Sequence, residues 1–147
     1  MSGTVHVAVG IVADASGAIL IARRPDHVHQ GGRWEFPGGK VEAAETVATA
    51  LQRELHEELG ITVQAAEPWL QVRHAYPDKT VLLDVWRVTA WRGELHGREG
   101  QPLRWASPAE LANFAFPAAD APIIARLRRE CAQIAQQASC SGTSAVL

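Results

Sequence analysis

Apolar and polar residues alternate with period two near the start of the chain, so that Val5, Val7, Val9 and Ile11 share one face of an extended segment. The run DASG (14–17) supplies a turn into a second apolar run, AILIARR, and together they predict a two-stranded hairpin. The segment RPDHVHQGGRWEFPGGK (24–40) holds too many Gly and Pro for a regular element. It is also long for a connector, which points to a functional loop. A helix follows over Val47 to Leu59, with Thr46 as N-cap and Gly60 where a left-handed C-terminal cap belongs. PWLQVRHAYP and KTVLLDVWRVTAW then predict two strands meeting at Pro77-Asp78, and PLRWAS a short one. SPAEL opens a short serine-capped helix, and APIIARLRRECAQIAQQ forms the last helix. This order of elements predicts an α+β or mixed α/β sandwich around a curved sheet.

The first helix breaks its own pattern. Val47, Ala50 and Leu51 make an apolar stripe, and continuing it leads to Glu54 and Glu58, with Glu57 beside them. Three carboxylates at this spacing repel by roughly 0.2–0.5 kcal/mol per pair when exposed, and desolvation costs far more. One reading is a solvated acidic face. The position on the stripe favours another: hard oxygen ligands for Mg²⁺ or Mn²⁺, ions that keep several waters and share the rest of their coordination with phosphates.

Composition narrows the picture further. At 147 residues the chain suits one domain, and 47% hydrophobic with 20% charged residues is ordinary for a soluble protein. A formal charge of −2 leaves no general basic field for nucleic acid. Cys131 and Cys140 lack the spacing of a zinc site or a disulfide framework, so reduced cytoplasmic thiols are expected. There is no basic leader and no run of about 18 apolar residues, which argues against secretion and membrane insertion. The small, polar end QQASCSGTSAVL is expected to be a mobile tail.

From Gly39 the chain reads five residues, Glu45, seven residues, then RELHEELGI (53–61). This resembles at every position the signature of the Nudix hydrolases, G-x5-E-x7-R-E-U-x-E-E-x-G-U with U apolar. Seven fixed identities at ordinary residue usage match by chance in fewer than about one window in ten million. AVGIV, ARR, WEFPGGK, AYPD, REGQP and FPAADAPIIARL are similar to the MutT branch in order and spacing over about residues 4–128.

The resemblance implies a Nudix-type α/β/α sandwich with a curved mixed sheet over residues 1–130. Residues 131–147 are then the end of the last helix and the tail. It also implies a hydrolase that cleaves a nucleoside triphosphate, 8-oxo-dGTP first, to the monophosphate and pyrophosphate by water attack at the β-phosphorus. Glu54, Glu57 and Glu58 would hold Mg²⁺ (or Mn²⁺) with a carbonyl of Gly38 or Gly39, while Glu45 and Arg53 orient loop and helix. The cations neutralise phosphate oxygens and lower the pKa of a bound water, and a carboxylate takes the proton. Glu54 is the first candidate for that base and Glu99 the second.

Arg24, His29, Glu35, Phe36, Pro37 and Gly38 would contact the nucleotide, joined by Tyr76 and Lys79 at the mouth of the cleft. Asp120 stands where the branch carries an asparagine that reads the base. An ionised aspartate only accepts hydrogen bonds, so it suits the amine of cytosine as well as the N7 proton of an 8-oxopurine. CTP or modified dCTP is therefore the alternative substrate, ahead of ADP-ribose or dinucleoside polyphosphates. The intact glutamates argue against a non-catalytic sensor. The expected partner is a small nucleotide, with neither nucleic acid nor membrane, and the chain acts as a monomer or homodimer.

Overall fold

The structure, a computed structural model, describes residues 3–28 and 31–146, with side chains as far as 137. Seven strands are present: β1 (Thr4–Val12), β2 (Ile19–Arg23), β3 (Trp34–Glu35), β4 (Gly38–Lys40), β5 (Thr62–Ala75), β6 (Thr80–Arg92) and β7 (Leu103–Ala106). Helix α1 spans Val47–Leu59 and α2 spans Ala121–Val146, with 3-10 turns at Pro108–Asn113 and Ala118–Asp120. Of the expected tail, the side chains from 138 onward lie outside the described residues.

The expected mixed sheet runs β4-β1-β6-β5, with β1 and β6 parallel, and β3-β2-β7 form a second, antiparallel sheet. The hairpin expected between β1 and β2 is therefore corrected. Asp14 does build the turn, its Oδ1 accepting from the amides of Ser16 and Ala18, but only Ala13 and Ile19 pair across it. The physical reason is burial: Ala8 to Val12 is buried throughout, so β1 needs a neighbour along each edge and cover on each face. β4 and β6 take its edges, and β2 goes to the other sheet.

β5 likewise starts six residues before the expected Pro68. Proline lacks an amide for the ladder, yet β5 is an edge strand and its register shifts between Pro68 and Leu70, two circumstances that accommodate it.

Two apolar clusters hold the layers. Leu51, Leu55 and Leu59 of α1 pack against Ala8, Val12, Val63 and Val88 on one face of the mixed sheet. Gly10 keeps that contact close, since a Cβ there would meet Leu51 at 3.2 Å and Leu55 at 3.3 Å. On the other face Val9, Ile11, Val72, Leu83 and Val85 pack with Ile21 of β2 and with Ile123 and Leu127 of α2. The result is the expected sandwich, helix over sheet over helix.

A polar clamp fixes α2. Arg87 and Arg126 lie 5.5 and 4.7 Å from the ring of Trp69, and Glu130 accepts from Trp69 Nε1 and Arg87. At the start of α2, Tyr76 Oη accepts from Ala119 N at 3.0 Å, which sets the turn carrying Asp120.

Candidate active site

Helix α1 begins as expected, with Thr46 Oγ1 accepting from Thr49 N, and ends at Gly60 with φ 73°. Its apolar stripe does not continue into the glutamates. It passes through Leu55 and Leu59, and Glu54 and Glu58 flank it, half-buried, on the side facing β4. Glu57 points outward, its side chain 54% exposed.

Glycine makes the approach of β4 possible. A Cβ on Gly39 would lie 2.3 Å from the carboxyl carbon of Glu54, and one on Gly38 would collide with Ala8 O at 2.0 Å. Gly38 N donates to Glu58 Oε2 at 3.0 Å, and Pro37 O accepts from Gly10 N. Phe36 is buried and stacks on Phe116 with ring centroids 5.1 Å apart, so the ring belongs to the core and leaves only its backbone for a ligand.

Arg53 joins the loop to the helix. Its Nε and Nη2 donate to the two oxygens of Glu45 at 2.9 and 3.0 Å, Nη1 donates to Glu54 Oε1 at 2.9 Å, and Nη2 also reaches Lys40 O. This forked pairing is a geometry only a guanidinium provides. It holds the Glu45 carboxyl down at about 2. Glu54 and Glu58 go the other way. Burial raises both, with Arg53 opposing the rise at Glu54, and Glu58 is pushed up to about 9 with added repulsion from Glu35, Glu54 and Glu99.

A cleft of about 330 Å³ opens here, a size suited to part of a nucleotide. Val5, Val7, Val81 and Leu83 give it an apolar floor, and Gly38, Gly39, Glu54 and Glu58 line it together with Arg24, Tyr76, Lys79 and Asp120. Glu35 pairs with Arg24 behind that wall, and its carboxyl is raised by burial. Asp120, 7% exposed, is pushed up to about 7, first by burial and then by Glu35, with Arg24 opposing. Glu99 is exposed on the β6–β7 loop, and its charge acts on Glu35, Glu54 and Glu58. His29 lies outside the described residues. Lys40, which is not among the residues expected from the sequence, also lines the cleft and follows the two glycines directly.

Among the described residues no three acidic, histidine or cysteine side chains close into a metal cage. The donor set nevertheless fits a divalent cation that retains water: carboxylates on one helix, desolvated and mutually repelling, beside glycine backbone. One expected consequence concerns pH. Glu58 binds a proton more tightly folded than unfolded, so the metal-free protein loses stability as pH rises from about 4.5 toward 9. A saturating divalent cation should displace that proton and raise Tm at pH 8 by about 5 °C or more, and by less at pH 6. Melting curves with chelator and with Mg²⁺ check this, and an increase independent of pH contradicts it.

The chain is similar to known proteins over most of its length. The family model described as "NUDIX domain" matches residues 8–126. The chain is 42% identical over 124 residues to the 8-oxo-dGTP diphosphatase of Escherichia coli (strain K12), covering 84% of this chain and 96% of that protein. It is 38% identical over 116 residues to the CTP pyrophosphohydrolase of the same organism, covering 79% and 86%. A solved MutT structure, from work on the proteins of Aliivibrio salmonicida and Vibrio cholerae, superposes with a TM-score of 0.76 at 40% identity. That match covers 87% of this chain and 99% of the other.

Proposed function

Since the chain belongs to the NUDIX domain family, whose hydrolases generally use a divalent metal, we propose that it is a Mg²⁺-dependent nucleoside triphosphate pyrophosphohydrolase acting first on 8-oxo-dGTP. The products are the monophosphate and pyrophosphate, and the role is removal of oxidised nucleotides before they enter DNA. A cytoplasmic setting suits that role, and among the described residues no helix is long and apolar enough to cross a membrane. The observation carrying this reading is the pair of desolvated carboxylates, Glu54 and Glu58, sharing a cleft wall with Gly38 and Gly39.

Glu54, Glu57 and Glu58 would hold the cation with a carbonyl of Gly38 or Gly39, and Mn²⁺ can replace Mg²⁺. When bound, it neutralises phosphate charge and acidifies water. The protein does the rest. Arg53 keeps the Glu54 carboxylate turned to the cleft, where it takes the proton of the attacking water, with Glu99 the alternative acceptor. Lys40, Lys79 and Arg24 compensate the charge of the triphosphate locally, as the net charge of −2 does not.

Asp120 selects the base. Held near about 7, it is shared between an acid form, which donates and accepts as an asparagine amide does, and a carboxylate that only accepts. The acid form serves the O6 and N7–H edge of oxidised guanine, and the carboxylate serves the amine of cytosine. This supports a second reading, CTP or modified dCTP hydrolysis, in line with the second relative. Values of kcat/KM for 8-oxo-dGTP, dGTP and CTP test both. The 8-oxo-dGTP to CTP ratio should fall about tenfold from pH 6 to pH 8.5 in the wild type, and should be higher and flat in Asp120→Asn. A ratio unmoved by pH and by the substitution refutes the assignment of Asp120.

A further inference from the structure

The β6–β7 connection, residues 93–102, is fastened to the end of the helix that carries the glutamates. The last carbonyls of a helix have no partners within it, and here the loop supplies them for Glu58 and Leu59 and adds a second donor at His56, whose carbonyl already accepts from Gly60 N. His96 N donates to Leu59 O at 3.1 Å, Arg98 N to Glu58 O at 3.0 Å, Arg98 Nη1 to His56 O at 3.0 Å and Gln101 Nε2 to Glu58 O at 2.9 Å. Arg98 also brings a cation to the negative end of the helix dipole. The fit is tight. A Cβ on Gly60 would sit 2.4 Å from the His96 ring, so Gly60 both ends the helix and admits the loop.

Within the loop, Gly100 N donates to Gly97 O at 3.0 Å, which puts Arg98 and Glu99 at the two central positions of a turn. Gln101 Oε1 then accepts from Glu99 N at 2.9 Å. One amide thus holds the main chain of Glu99 through its oxygen and the main chain of Glu58 through its nitrogen. Only this orientation of the amide satisfies both partners.

We propose that Gln101 is a positioning residue, tying the Glu99 turn to the carboxylate-bearing end of α1 so that Glu99 faces Glu54 and Glu58 across the cleft entrance. The proposal rests on the reading in which Glu99 takes part in hydrolysis. A bridge between an amide N–H and a carbonyl needs one acceptor and one donor on the same side chain. Glutamine has both at this length. Glutamate would accept from Glu99 N but turn a second oxygen on Glu58 O, and alanine would offer neither.

The test is steady-state kinetics with a deoxynucleoside triphosphate and Mg²⁺ for the wild type, Gln101→Ala, Gln101→Glu, Glu99→Gln and the double variant Glu99→Gln/Gln101→Ala. Gln101→Ala and Gln101→Glu should each lower kcat by about tenfold with KM changed less than about twofold, since they misplace a catalytic group and leave substrate contacts alone. In the Glu99→Gln background the same Gln101→Ala change should cost less than about twofold, because the group it positions is already gone. An equal loss in both backgrounds makes Gln101 a merely structural support and overturns the proposal, as does wild-type kcat in Gln101→Ala. If Glu99→Gln alone keeps wild-type turnover, the role given to Glu99 fails first, a result distinct from additive losses.

Discussion

Glu54→Gln and Glu58→Gln should each lower kcat on the order of 10³-fold with Mg²⁺ while leaving the fold intact, because each removes an anionic oxygen that several kcal/mol of charge stabilisation depends on. Glutamine keeps the volume at both positions. At Glu58 the remaining amide oxygen can still accept from Gly38 N, so the β4 contact survives. The metal-free Glu58→Gln protein should melt no lower than the wild type at pH 8, since burying a neutral amide removes the desolvation and repulsion that push the carboxyl up to about 9. Glu57, outward-facing and paired only loosely with Arg53 at 3.6 Å, should tolerate the same change with a smaller loss. Kinetics and melting curves on the three variants measure this. Wild-type turnover in both Glu54→Gln and Glu58→Gln would remove the basis of the proposed function.

Arg53→Lys should lower kcat by about 10²-fold, although charge is conserved, because an ammonium cannot engage both oxygens of Glu45 and still reach Glu54 and Lys40 O. Arg53→Ala adds a loss of stability with a defined pH dependence. The Glu45 carboxyl falls from its ordinary 4.5 to about 2 through its bonds with Arg53, so this pairing contributes fully above about pH 4.5 and is lost as pH falls toward 2. The Tm gap between wild type and Arg53→Ala should therefore be widest near neutrality and close as the solution is acidified toward pH 2. A gap that widens in acid contradicts the pairing.

How much of this could be read from the sequence depends on how far apart the partners lie. Thr46, Gly60 and the helix between them were legible because capping and periodicity are local. Gly39, Glu45, Arg53 and the glutamates were legible because together they match the Nudix signature, and Arg53 does join Glu45 to Glu54. The pairing of β1 was not. Its parallel partner aligns Ala8 with Asp84, far along the chain, whereas the DASG turn advertised a nearer neighbour. Pro68 reads as a strand start because its tolerance inside β5 depends on β5 being an edge, which only the assembled sheet reveals. Asp120 was visible as a substitution, but its burial, and the opposing charges of Glu35 and Arg24 that act on it, emerge only from the fold. Gln101 falls within the matching REGQP segment, but the bridge it makes was not legible there. Its two partners are main-chain atoms of Glu99 and Glu58, which no side-chain pattern records.

In the proposed reaction this cleft directs water to the β-phosphorus of a nucleoside triphosphate. Hydrolysis of 8-oxo-dGTP in H₂¹⁸O with Mg²⁺, followed by mass analysis of the products, reads out which phosphorus is attacked. The expected products are 8-oxo-dGMP and pyrophosphate with one ¹⁸O in the pyrophosphate and none in the monophosphate, and no turnover is expected with chelator. Label in 8-oxo-dGMP, release of inorganic phosphate, or undiminished turnover with chelator would contradict it.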